Sequence, residues 1–423
     1  VYPGKKDTYN RYGVRFNGTA EFSNKFYAGI SANYNKINSN NIAGGQGGGS
    51  VYNNLLQTPR DIPVSDMSDL TNPYNGYGQV RDASGNLRED LYGYYGAYAM
   101  NPYWVLDNYN NFNDVNRIMG NVNVGYKPFE WLDIKERIGV DHYSDRRRSE
   151  SPKFTYSPAD NTTDNYSQSA NKQTEVGQYR IDQFNVTEII HDFMVTANHK
   201  FNDDFEASLM LGNNIRQRQT TNNSTATNAS TGLVMPGWYN LANSNGPLDL
   251  IEDSWSKRRL VGVYADLNLS YKNYLFLQAT SRNDWSSTLP KANNSFFYPS
   301  VSGSFVFSEL MSPEARQILS YGKLRANIAK VGNDTDPYQL ITTFSRGEIN
   351  GGFGTTTFPF GNVSALMSGS TIGNALLKPE ITTSYEVGTE LGFFANRLSV
   401  DFSYYKNSSK DQILSIPIPN STG

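Results

Sequence analysis

The chain has no cysteine among its 423 residues. That excludes a disulfide scaffold and every metal site built on thiolates. Histidine is nearly as scarce, with only His142, His191 and His199. So few histidines cannot supply a nucleophile–base–acid arrangement, and no enzyme is expected. His191 and His199 share strand parity but lie eight positions apart. That is too far for one metal ion without other ligands, so neither metal nor cofactor is expected. No run approaches the roughly 18 apolar residues of a membrane helix. Charge is balanced, with 37 basic residues against 40 acidic ones and a net of −3. That balance gives no field for holding a nucleic acid.

What the chain does have is aromatic residues and alternation. Phe, Trp and Tyr make up 13% of it. In Arg258 to Leu310, Val261, Val263, Ala265, Leu267, Leu269 and Tyr271 alternate with Gly262, Tyr264, Asp266, Asn268 and Ser270. Period two is the mark of a strand with one apolar and one polar face. The pattern continues through Leu275, Leu277 and Ala279, then through Phe297, Val301, Gly303, Phe305 and Phe307. Strands of about 10 to 14 residues are predicted, long for a soluble sheet and long enough to cross a bilayer, which takes about 9 to 11. An overall apolar content of 38% fits a membrane barrel, because only alternate residues face lipid.

The same pattern recurs along the chain and predicts about 12 antiparallel strands in six hairpins. Phe22 and Phe26 flank the turn Ser23–Lys25 and should pair across it. Further hairpins turn at 127–131, at Asn202–Asp204, at Lys272–Tyr274 and at Phe394–Arg397, and Ser312-Pro313-Glu314 predicts the start of a short helix. Glu136 and His199 fall on the apolar face against the pattern. Tight turns alternate with long polar connections, expected at about 35–114, 145–178, 220–253 and 332–380. Aromatics flank the tight turns, as at Phe201 and Phe205 or Tyr271 and Tyr274. One-sided loop lengths with an aromatic rim are the arrangement of an outer-membrane barrel, short turns toward the periplasm and long loops outside. The fold class expected is all-β: an antiparallel transmembrane β-barrel of which this chain is the middle part. The opening VYPGKKDTYN is loop-like and no leader, so an internal piece of a longer protein is expected.

Several motifs resemble the TonB-dependent receptors of the SusC/RagA type. They are RNDWSS (282–287), FYPSVSGSFVFSE (297–309), GKLRANIAKVGN (322–333) and the run from Leu377 to Leu414. NPYW (101–104) and LLQTPRDIP (55–63) are similar to the same subgroup. Trp285 stands where that family usually has Gly. The resemblance covers nearly the whole chain but only the barrel portion of such a receptor, 1–423 forming part of one barrel domain without its plug. It implies a 22-stranded barrel in the bacterial outer membrane, import energised through TonB, and a SusD-like lipoprotein lid. The function expected is import of a bulky glycan or oligopeptide. The other class considered is a soluble or surface-anchored β-rich carbohydrate-binding protein.

Candidate solute contacts are the aromatics of the loops, Tyr94, Tyr98, Tyr103, Trp104, Trp238 and Tyr239, which offer stacking area with a polar edge. Arg282 and Asp284, on the polar face near a strand end, are candidates too. Arg146, Arg147 and Arg148 read as a solvated run at a strand top, where outer-membrane lipid and lipopolysaccharide phosphates would be met. Gly44 to Ser50 lacks the lysine of a phosphate loop. DASGNLRED (82–90) and NDTDP (333–337) lack the EF-hand glycine and glutamate, and turns are expected there.

Overall fold

The computed structural model describes residues 6–42, 44, 49–58, 60, 63–71, 84, 100–154, 175–350, 355–368 and 371–416. The strands, in chain order, are β1 (Thr8–Glu21), β2 (Phe26–Asn40), β3 (Asn110–Phe129), β4 (Leu132–Phe154), β5 (Glu175–Lys200) and β6 (Phe205–Ala226). They continue as β7 (Asp249–Tyr271), β8 (Leu275–Ser286), β9 (Ser295–Phe305) and β10 (Leu319–Asn333). Four short strands follow: β11 (Phe344–Arg346), β12 (Glu348–Asn350), β13 (Thr355–Thr357) and β14 (Leu366–Ser368). The last two are β15 (Glu380–Phe393) and β16 (Leu398–Lys410). The twelve long strands form one sheet, each paired with its chain neighbour, with β1 and β16 at the edges. The short strands form two small sheets, β11 with β14 and β12 with β13.

The tight turns carry their own chemistry. Ser23 Oγ accepts from the backbone N–H of Lys25 and Phe26. The Phe22 N–H donates to the Phe26 carbonyl, so the expected cross-turn pair forms. Asn202 Oδ1 accepts from Asp204 and Phe205. Lys272 and Asn273 both have positive φ, and the Tyr274 N–H closes onto the Tyr271 carbonyl at 3.2 Å. That is a type I′ turn, whose twist matches the flanking strands. The expected short helix spans Pro313–Ile318, with Ser312 Oγ capping the Ala315 N–H.

Aromatic rings line the tight-turn edge of the sheet in a row. Phe26 stacks on Tyr126 at 4.4 Å and Phe129 on Trp131 at 5.5 Å. Phe201 meets Phe205, Tyr271 meets Tyr274, and Phe305 touches both Tyr274 and Phe307. Phe305 therefore sits in this rim, because β9 starts at the other end and reaches the rim there. Above the rim the apolar face is a band of exposed side chains, among them Val122, Ile138, Phe193, Leu211, Val263 and Val301. None of the described residues covers it. The two exceptions to the apolar pattern have partners. His191 Nε2 and Glu136 Oε1 are 2.9 Å apart on that face, and the His199 ring meets Phe201 edge-on at the rim.

The strands overrun their expected ends. β4 has 23 residues, β5 has 26 and β7 has 23. They extend into the segments expected as loops, leaving 41–109, 155–174, 227–248 and 334–379 between the long strands. Arg146, Arg147 and Arg148 lie inside β4, paired with both β3 and β5. Beyond the apolar band both faces are mostly polar, with scattered apolar side chains such as Phe184, Val186 and Trp255. The hydrophobic period vanishes there while the backbone ladder continues.

Candidate functional site: the polar face and the loops above it

The polar face carries a hydrogen-bonded belt that crosses the sheet. Arg137 on β4 bonds Asp192 on β5 at 2.7 and 3.0 Å. Asp192 accepts from Asn214 on β6 at 2.6 Å, and Asn214 Oδ1 accepts from Arg282 on β8 at 3.1 Å. Arg282 also holds Asp284 at 2.8 Å and lies over the Tyr264 ring of β7. Tyr298 on β9 donates its hydroxyl proton to Asp284. On β7 the belt passes over Gly262, where a Cβ would lie 2.2 Å from Asp284 Oδ1 and 2.5 Å from Arg282. Any side chain there would break the belt. Arg282 and Asp284 are thus bound into the wall, and Asp284 is 2% exposed. The resemblance motif RNDWSS positions a structural network through them.

A second network ties the sheet together nearer the long loops. Asp334, just past β10, accepts from Arg258 of β7 and from Ser286 and Thr288. Its side chain is 2% exposed. Those oxygens are committed to donors, which takes Asp334 out of any Ca²⁺ turn at 333–337. Among the described residues no three His, Asp or Glu side chains gather as a metal site. The third network lies near the free edge, where Arg325 bonds Asp401 at 2.7 Å and Ser403 at 2.6 Å.

The described parts of two loops above the sheet are folded. In 41–109, α1 (Val51–Gln57) and α2 (Pro102–Asn108) pack a small core of Val51, Met100, Trp104, Val105 and Leu106. Ser50 caps α1, and Asn101 caps α2 at the Tyr103 N–H. Asn101 also reaches the Met67 carbonyl at 2.9 Å. The NPYW motif is therefore a cap, a first-turn proline and a core tryptophan. Trp104 is 7% exposed and presents no face for stacking. Tyr103 is half-buried beside it, and Tyr94 and Tyr98 lie outside the described residues.

In 227–248, Leu233 and Thr227 are fully buried. Asn243 holds the carbonyls of Met235 and Trp238 at 2.8 and 2.7 Å. This leaves the Trp238 ring 47% exposed on a rigid base. Tyr239 next to it is half-buried. Burial, and then the charge of Glu150, raises its phenol above the ordinary tyrosine range. It stays neutral at any physiological pH.

Sequence reasoning missed the belt residues Arg137, Asp192 and Asn214, as well as Arg258 and Asp334. Strand parity could have found the first three, since each falls on the polar face beside an apolar neighbour. Their register across strands is not legible in one sequence.

An exposed apolar band, an aromatic rim at the tight-turn edge, a polar face of ion pairs and long loops at one end define an outer-membrane β-barrel wall. The family model for the TonB-dependent receptor-like β-barrel matches residues 60–423, and the chain belongs to that family. It is similar to TonB-dependent receptor P26 of Formosa agariphila, 23% identical over 421 residues, 98% of this chain and 37% of that protein. TonB-dependent receptor P39 of the same organism is 26% identical over 165 residues, 39% of this chain and 15% of that protein. The structure of the RagAB peptide transporter superposes with a TM-score of 0.70 at 18% identity, over 98% of this chain and 42% of the matched chain. The same importer in its 'open-open' state gives 0.71 at 17% identity, over 98% of this chain and 41% of the other. The chain thus spans less than half the length of these proteins. It is an outer-membrane protein, with the apolar face toward lipid and the polar face toward the lumen.

Proposed function

We propose that this chain forms part of the wall of an importer for a bulky nutrient, a glycan or an oligopeptide. Energy arrives through TonB, and a SusD-like lipoprotein closes the extracellular mouth. One observation carries this reading. The sheet is inverted relative to a soluble protein, with bare apolar side chains on one face and ion pairs such as Arg137–Asp192 on the other. A soluble carbohydrate-binding protein would bury that band. The free edges β1 and β16 support a wall completed by further strands, because lipid leaves no backbone group unpaired. The solved neighbour's description as a peptide transporter favours a large organic solute. We infer that Trp238, Tyr239 and Tyr103, with Tyr94 and Tyr98, contribute to solute capture, and that Trp104, Arg282 and Asp284 hold the structure they stand on.

The test uses the complete receptor in its host. Deleting it should abolish uptake of a labelled oligosaccharide or peptide that the parent cell imports. Collapsing the proton gradient should stop uptake and leave surface binding. Uptake that survives the collapse overturns the TonB-driven reading. Sidedness is checked by single cysteines. Those at Asn24, Asp203 and Asn273 should be shielded from impermeant reagents on intact cells, and one at Ser230 should react.

A further inference from the structure

Two basic runs 40 residues apart in sequence meet in the sheet. Arg216-Gln217-Arg218 on β6 lies against Lys257-Arg258-Arg259 on β7, with Arg218 directly opposite Arg258. Parity puts Arg216, Arg218 and Arg258 on the luminal face together. Like charges directly opposite one another destabilise a sheet unless something neutralises them. Two of the three are neutralised within the chain. Glu188 gives both carboxylate oxygens to Arg216, each at 2.9 Å, and Asp334 takes Arg258. Glu188 is the cross-strand neighbour of Arg218, yet its oxygens point to Arg216. Asp141, next on the same rung, is held by Arg117 at 2.8 Å. Asp336 adds negative charge near Arg258 but pairs with none of the three. Arg218 makes no ion pair with any described residue and is exposed.

Its height matters as much as its charge. Arg218 stands thirteen positions beyond Phe205 of the aromatic rim. At about 3.4 Å per residue and a tilt of about 40°, that is roughly 34 Å, above an apolar band about 25 Å tall. The guanidinium therefore faces the extracellular vestibule. A planar guanidinium with a free fork matches an oxyanion better than any neutral group.

Building on the import reading above, we propose that Arg218, set between Arg216 and Arg258, binds an oxyanion carried by the imported solute, a carboxylate or a sulfate ester. Arg216 and Arg258 stay in their own ion pairs with Glu188 and Asp334, so Arg218 supplies the charge. The site selects anionic oligomers over neutral ones of the same size.

The experiment uses the full-length receptor, purified in detergent, and equilibrium binding of four probes. These are an oligogalacturonate and an acidic peptide, which carry carboxylates, a sulfated carrageenan oligosaccharide, and a neutral maltooligosaccharide. The parent should bind at least one anionic probe more tightly than the neutral one, and added salt should weaken that binding. The probe that binds identifies carboxylate or sulfate as the source. Arg218→Gln should weaken it at least tenfold, and Arg218→Lys should restore part of the loss. The shift of band position on unheated gels checks that each variant is folded. A folded Arg218→Gln with unchanged affinity for every anionic probe overturns the proposal, as does a parent that prefers the neutral probe or binds none of the anionic ones. Because binding is read without energy or cells, its failure is separate from a failure of TonB-driven uptake.

Discussion

The wall has a tall part and a low part. Strands β3 to β7 run 20 to 26 residues, whereas β8, β9, β10, β15 and β16 run 11 to 15. The low part is little more than a membrane crossing. The tall part continues upward as a sheet whose end is packed, with Tyr179, Val186, Ala226 and Leu233 buried in it or in the loop it supports. The low part ends instead in the connection 334–379 with its two small sheets, where Ile341, Leu366 and Leu376 remain exposed. The difference separates two jobs. A crossing needs only an apolar face and paired backbone. A surface that holds aromatic and arginine side chains in fixed positions above the membrane needs its own core.

Asp334 joins the two parts, and removing it should have the largest effect. Asp334→Ala leaves Arg258 beside Arg218 and Arg216 without its carboxylate, and leaves Ser286 and Thr288 without an acceptor. Breaking a buried pair this way costs about 3 kcal/mol. Asp401→Ala removes a pair 58% exposed on the acid side and should cost at most about 1 kcal/mol. Urea titrations of the complete receptor folding into vesicles would show both. Equal costs would mean that the seam is no more important than the edge.

Within the low part, Val301→Arg sits at mid-height of the lipid face and should cost about 2 to 4 kcal/mol. Phe305→Arg in the rim should cost about 1 kcal/mol or less. The same titration ranks them, and the reverse order would place the membrane differently along the strands.

In the loops above, Trp104→Ala should lower protection of α1 and α2 in hydrogen exchange and leave the barrel intact, because a buried aromatic is lost from a core of five buried side chains. Trp238→Ala should leave exchange unchanged and weaken solute binding about two- to tenfold, roughly 0.5 to 1.5 kcal/mol for one stacking face. If Trp238→Ala alters exchange and not affinity, that loop is structural like its neighbour.

The barrel class, the strand order, the tight turns and the lipid-facing set were legible because period-two alternation and turn residues are local. A side chain's face follows from its parity alone. Glu136 broke that pattern and could not be understood in sequence, since its partner, His191, lies on the next strand. The polar extensions of β4 to β7 were invisible for a related reason. Their ladder is held by backbone bonds, which leave no hydrophobic trace. Trp104 and Arg282 looked like free contact groups because exposure is a property of packing, and only the fold shows one inside a loop core and the other inside a belt. The sequence by itself determined what kind of wall this is. Which arginines on that wall are neutralised, and which one has no ion-pair partner among the described residues, was decided by strand register, which brings residues 40 positions apart into contact.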